Sequence, residues 1–148
     1  MPPSLHYRCP ACGRINRVQP ERARLCPTCG ACKANLEVSG APVHLDDDAV
    51  QRLVDTSPVP VLVDFYADWC GPCRSLAPTL QELGRRHAGQ LIVVKVDTER
   101  HQRLASRLSV QGIPALFLFR GGQVVDQATG ALPLAALEQL VSRHLAAA

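Results

Sequence analysis

The sequence predicts an α/β fold, a central mixed β-sheet flanked by helices, preceded by a small cysteine-rich domain. Three observations carry this reading. After about residue 42, apolar runs and amphipathic stretches alternate, the pattern of a sheet layered with helices. Two of those runs, Val59–Tyr66 and Leu91–Val96, are nearly continuous in apolar residues, which suits strands buried on both faces. Five of the seven cysteines crowd into residues 9–32, where hydrophobic periodicity is weak.

Each element has a local reason. Ser39-Gly40-Ala41-Pro42 is small, flexible and broken by proline. It divides the chain into a first domain, 1–38, a linker, 39–42, and a second domain, 43–148. A short strand is expected near Pro42–Leu45. Asp46-Asp47-Asp48 then caps a helix reaching about Asp55. Pro60 stands near the start of the next strand, where proline is tolerated. From about Cys73 to His87, Leu76, Leu80 and Leu83 fall at helical spacing, and Pro78 should bend that helix. Glu99–Leu108 reads as a helix. Ala115–Phe119 and Val124–Ala128 read as strands joined by the turn Arg120-Gly121-Gly122-Gln123. Leu132–Leu145 closes the chain as an amphipathic helix. The resulting order is β-α-β-α-β-α-β-β-α.

Composition narrows the function. The 148 residues are 47% apolar and 20% charged, which fits a packed core and argues against disorder. No run approaches the roughly 18 apolar residues of a membrane span. The start, MPPSLHYRCP, carries no apolar signal region, so a reducing cytoplasmic location is expected. Residues 1–40 hold six Lys/Arg against two Asp/Glu. We read that excess as a solvated surface rather than a nucleic-acid or membrane face. A monomer is expected. The five histidines, at positions 6, 44, 87, 101 and 144, stand beside no motif and are assigned to surface or packing roles.

In a reducing compartment, paired cysteines mean metal or redox chemistry before structural disulfides. Cys9 and Cys12 are followed, after thirteen residues, by Cys26 and Cys29, and Cys9-Pro10-Ala11-Cys12-Gly13 recurs as Cys26-Pro27-Thr28-Cys29-Gly30. Two such pairs supply the four thiolates of a tetrahedral zinc site, each from one tight turn. Some forty residues bury too little to fold alone, and a metal supplies the missing stability. Cys9, Cys12, Cys26 and Cys29 are therefore the expected ligands of one zinc per chain. Cys32, which forms a further C-x-x-C with Cys29, is left as a replacement for Cys29, a free thiol or an oxidation switch.

Trp69-Cys70-Gly71-Pro72-Cys73 follows a buried strand and opens a helix. Two cysteines at that spacing close a small disulfide ring. At the helix N-terminus, free N–H groups and the helix dipole favour a thiolate on Cys70, while Cys73 lies one turn inside. This arrangement suits attack by Cys70 on a substrate disulfide and resolution by Cys73. Gly71 allows close approach, and Pro72 stiffens the turn where a missing N–H costs little. Asp64 falls in an apolar strand. Burial raises the proton affinity of a carboxylate, which suits proton transfer near neutrality, although pairing with Lys95 at a strand rim would explain it as well.

The stretch from Val63 to Cys73, VDFYADWCGPC, resembles the active-site segment of thioredoxins, and the resemblance covers about residues 42–148. It implies the thioredoxin fold and an enzyme, a protein-disulfide reductase. Cys70, Cys73, Asp64 and Lys95 would be catalytic, with Asp64 a proton relay behind Cys73. The substrate surface would be Trp69, Gly71, Pro72, Ile113, Pro114 and Gly130, with Pro114 in a cis peptide. Pro78 matches the proline that kinks the active-site helix. Tyr66, Arg74 and Ala115 depart from the residues most common in the family, which bears on substrate preference more than on the reaction. With the cysteine-rich segment in front, the whole chain resembles the zinc-containing bacterial thioredoxins, the thioredoxin 2 type. That resemblance implies disulfide-containing client proteins, recharging by an NADPH-dependent flavoprotein thioredoxin reductase, a role in oxidative stress, and no bound organic cofactor. Two other readings stand beside it: a zinc-based redox sensor, and a partner-binding or chaperone module on the same scaffold.

Overall fold

A computed structural model describes residues 4–145. The first segment opens with a two-stranded antiparallel hairpin, β1 (Leu5–Arg8) and β2 (Ile15–Val18). No alternation in the sequence announced these strands, because four-residue strands around a cysteine turn leave no room for a period. A five-stranded mixed sheet follows, made of β3 (Val43–His44), β4 (Val61–Tyr66), β5 (Ile92–Asp97), β6 (Ala115–Arg120) and β7 (Gln123–Thr129). Their order is β3-β5-β4-β6-β7. β3 and β4 run parallel to β5, while β6 is antiparallel to both β4 and β7.

Strand β4 lies at the centre, and all six of its residues are buried. Its two faces serve two cores. Val61, Val63 and Phe65 pack with helix α1 (Asp47–Thr56) and helix α3 (Arg103–Arg107) through Val50, Leu53, Val54 and Leu104. Leu62 faces the opposite side, against helix α2 (Gly71–Arg86) and helix α4 (Leu134–Ser142), which contribute Leu76, Leu80, Leu83, Leu137 and Val141. The continuous apolar run was thus a strand between two layers.

Helix caps account for the boundaries. Asp46 accepts the Ala49 N–H at 2.8 Å and starts α1. Helix α3 is shorter than the stretch Glu99–Leu108 expected of it. The Asp97 carboxylate accepts the Glu99 N–H, and its carbonyl accepts those of Arg100 and His101, so the chain turns before it coils. The cap of α3 comes from another element. Asp47 accepts the N–H groups of both Arg103 and Leu104, each at 3.2 Å, a long-range contact that no local sequence signal encodes.

The first segment is seated on the second at the C-terminal end of α2. Tyr7, Cys9, Val18, Cys29 and Leu36 form a small core that Ala88 helps to close. His6 donates its N–H to the Gly89 carbonyl at 2.8 Å. Gly40, at φ +80°, lies against Gly84 of α2 so closely that a Cβ on either would collide with the other's backbone. In an open helix, Gly84→Ala would stabilise by about 1 kcal/mol through helix propensity. Here, overpacking against backbone should outweigh that gain, and we expect a net loss of roughly 1–2 kcal/mol. Denaturant unfolding of the variant measures it; an increase in stability would refute the Gly40–Gly84 contact.

Candidate functional site: a dithiol–disulfide centre and a four-cysteine cluster

Where β4 ends, the chain turns through Ala67, Asp68 and Trp69 into α2. Cys70 is the N-cap of that helix, and its Sγ receives the Cys73 N–H at 3.2 Å. The two sulfurs are joined as a disulfide, with Cα atoms 5.2 Å apart, inside the ordinary range. Cys70 and Cys73 are both nearly inaccessible, at 4% and 2% exposure. In the dithiol state, the same N–H and the helix N-terminus favour negative charge on the Cys70 sulfur.

A cleft of about 610 Å³ opens beside the pair. Of the expected substrate residues, Trp69, Gly71, Pro72 and Ile113 line it. Trp69 is 67% exposed, and its indole N–H donates to Glu99 Oε1 at 2.8 Å. A Cβ on Gly71 would meet nothing within 4 Å, so that side is open to a partner. The Ile113–Pro114 peptide is cis, and the Ile113 carbonyl stands 3.8 Å from Cys70 Sγ. Pro114 and Gly130 do not line the cleft; the Gly130 N–H donates to the Pro114 carbonyl at 2.9 Å. Gln102, Ser106 and Gln111 bring polar side chains to the cleft wall. Sequence reasoning passed over these three because their place depends on how α3, with its N-cap Gln102, and the loop that carries Gln111 pack beside the start of α2. None of the cleft's lining residues carries a formal charge.

Asp64 is wholly buried, and neither carboxylate oxygen has a hydrogen-bond partner. Burial pushes its pKa up to about 7, while the Lys95 charge across the strand pair pulls the other way. The unfolded carboxyl ionises near its ordinary value of 3.8, the folded one near 7. Between those limits the native state binds more protons, so stability falls as pH rises. Asp64→Asn should therefore be more stable than the wild-type chain at pH 8, by up to about 4 kcal/mol. The advantage should vanish by pH 4. Denaturant unfolding at the two pH values checks this, and an advantage of equal size at both would count against a buried ionising Asp64.

The second cluster lies in the first segment. The Sγ atoms of Cys9, Cys12, Cys29 and Cys32 all fall within 4.8 Å of one another. Cys9–Cys32 and Cys12–Cys29 sulfurs stand 3.6 and 3.7 Å apart. Metal–sulfur bonds of about 2.3 Å at tetrahedral angles place sulfurs roughly 3.8 Å apart, so the set fits one such ion. The N–H groups of Ala11 and Cys12 point at Cys9 Sγ, and that of Ala31 points at Cys29 Sγ. The Cys12 N–H lowers the pKa of Cys9, and the Cys32 N–H with the Asn16 side chain brings that of Cys29 down to about 6, while Cys32, against the Ala34 N–H, is pushed up to about 11 by the neighbouring sulfurs; Cys9 and Cys29 thus favour the thiolate form a metal needs.

This grouping differs from the expected ligand set at one position: Cys32 replaces Cys26. The repeated letters C-P-x-C-G misled, because the backbone repeats elsewhere. Cys9 N–H to Arg14 O and Gly13 N–H to Cys9 O recur as Cys29 N–H to Ala34 O and Lys33 N–H to Cys29 O. Gly13 at φ +84° corresponds to Lys33 at φ +68°, not to Gly30. The interval from Cys12 to Cys29 is then sixteen residues, inside the usual spacing for paired zinc knuckles. Cys26 is exposed and stands outside the group.

The thioredoxin family profile matches residues 41–143. Thioredoxin 1 of Nostoc sp. is 43% identical over 105 residues, covering 71% of this chain and 98% of its own. Thioredoxin C-3 of Corynebacterium nephridii is 33% identical over 137 residues and 93% of each chain, so that match extends into the cysteine-rich segment. Among solved structures, a mutant thioredoxin from Halobacterium salinarum superposes with a TM-score of 0.68 at 31% identity, over 76% of this chain and 97% of its own.

Proposed function

The chain belongs to the thioredoxin family and is a thiol–disulfide oxidoreductase, and from that premise we propose that Cys70 is the attacking sulfur and Cys73 the resolving one in the reduction of protein disulfides. The observation that carries this order is the Cys73 N–H on Cys70 Sγ at the helix N-terminus, beside an open cleft. The Cys70 thiolate attacks one sulfur of a client disulfide, and the other client sulfur leaves as a thiolate. A mixed disulfide results. Cys73 gives its proton to the Asp64 carboxylate and attacks Cys70 Sγ, releasing the second client thiolate. Two electrons pass to the client, and Cys70–Cys73 is left oxidised. Lys95 tunes Asp64. Trp69, Gly71, Pro72, Ile113, Pro114 and Gly130 present the surface on which the client's chain lies. A thioredoxin reductase returns the dithiol, with NADPH as electron source through a flavin.

We assign zinc to the four-cysteine cluster on the donor set, since four thiolates in tetrahedral array suit zinc and a packed core of five residues needs such a clamp. When bound, zinc crosslinks the two turns of residues 1–38 and takes no part in electron transfer. Five cysteines outside any disulfide accord with a reducing, cytoplasmic compartment. No helix among the described residues is long and apolar enough to cross a membrane.

Two experiments test this reading. Cys73→Ser should accumulate mixed disulfides with client proteins, whereas Cys70→Ser should form none and lose all turnover. Trapping by Cys70→Ser in place of Cys73→Ser would reverse the order of attack. For the metal, elemental analysis of the reduced, purified chain should give one zinc per molecule. Cys26→Ser should keep it and Cys32→Ser should lose it. The opposite pair of results would restore Cys26 to the ligand set.

A further inference from the structure

Lys95 does not stand alone beside Asp64. The strand register pairs His44 with Lys95 and Lys95 with Asp64. The three therefore form a row on one face of the sheet, from the edge strand to its buried centre. Tyr66 is two residues beyond Asp64 on β4 and so points to the same face. The Lys95 ammonium lies over the Tyr66 ring, 4.5 Å from its centroid. The Tyr66 hydroxyl shares a 3.0 Å hydrogen bond with His44 Nδ1, and the two rings meet edge to face at 5.7 Å. Tyr66 also packs with Ala67, Cys70 and Cys73.

Among the described residues, no carboxylate oxygen comes within 4.0 Å of Lys95 Nζ in an ion pair. What the ammonium meets is the face of Tyr66. Outside Lys95 lies a polar opening of about 420 Å³. Asp97 of β5 and the loop residues Asp46 and Asp68 bring carboxylates to it, and Arg100 and His101 bring basic groups. Lysine has a long, flexible stem and a strongly hydrated head. Released from the ring, it would move toward that water and those carboxylates, away from Asp64.

We propose that Tyr66, braced by His44, is a positioning residue that holds the Lys95 ammonium toward Asp64 and so sets the proton affinity of the buried carboxyl. The catalytic consequence rests on the relay role given to Asp64 above; the positioning itself does not. Taking the positive charge away favours the protonated acid, so loss of the brace raises the midpoint at which Asp64 titrates.

The test is the midpoint of Asp64, read by carbon-13 NMR of its side-chain carboxyl in the full-length oxidised protein. Tyr66→Leu should raise it by about half a pH unit or more, roughly a threefold gain in proton affinity. Tyr66→Phe keeps the ring and loses the hydroxyl; it should give a smaller rise, matched by His44→Ala. In a Lys95→Met background, Tyr66→Leu should add nothing. A midpoint unmoved by Tyr66→Leu, or one raised equally with and without Lys95, overturns the proposal. If Tyr66→Leu does not fold, His44→Ala at its exposed position decides, and an unmoved midpoint there refutes the brace. Because NMR reads the carboxyl directly, the relay can fail in kinetic assays of Asp64→Asn while this positioning stands.

Discussion

Complete burial of β4 governs the rest of the molecule. A six-residue strand covered on both faces must end somewhere, and where it leaves the core the chain passes through Ala67 and Trp69 into the N-terminus of α2. That junction places Cys70 where helix N–H groups have no partners of their own. The same burial puts Asp64 where water cannot reach it. The redox-active sulfurs and the buried carboxyl thus derive from one constraint. An exposed strand would yield neither an elevated carboxyl nor a rigid platform for the disulfide.

Stability is given up at this site. A carboxylate without a single hydrogen bond is a liability in a core, and it is offset by the apolar packing of Leu62, Leu76, Leu80 and Leu116 on the same face. Such local conflicts mark function, since a sequence selected for stability alone would place an apolar residue at this position. Tyr66 and Lys95 soften the conflict by keeping a positive charge in line with the carboxyl.

The cysteine-rich segment follows a different logic. Its apolar core is a handful of residues and borrows Ala88 from the second segment, and its two turns bring four sulfurs within reach of one another. Backbone geometry, not letter similarity, selects those sulfurs. Gly13 and Lys33 occupy the same left-handed position in the two turns, although lysine adopts that conformation at some cost. Glycine, the cheaper choice, stands at Gly30, which is where the eye finds the repeat.

Sequence by itself determined the alternation of strands and helices, the central strands, the redox-active pair Cys70 and Cys73, and the presence of a paired-cysteine segment. Each of these rests on local physics: apolar period, helix capping, or the fixed spacing of two sulfurs in one turn. Tertiary structure decided what depends on groups distant in the chain. It shortened α3, because its cap comes from Asp47, and set Gln102, Ser106 and Gln111 in the cleft. It exchanged Cys26 for Cys32 and gave His44, which no motif singled out, a place behind Tyr66 and Lys95. Register across three strands and the closing of one turn onto another are relations between residues far apart in sequence. They exist only once burial has fixed the strands, and no local pattern records them.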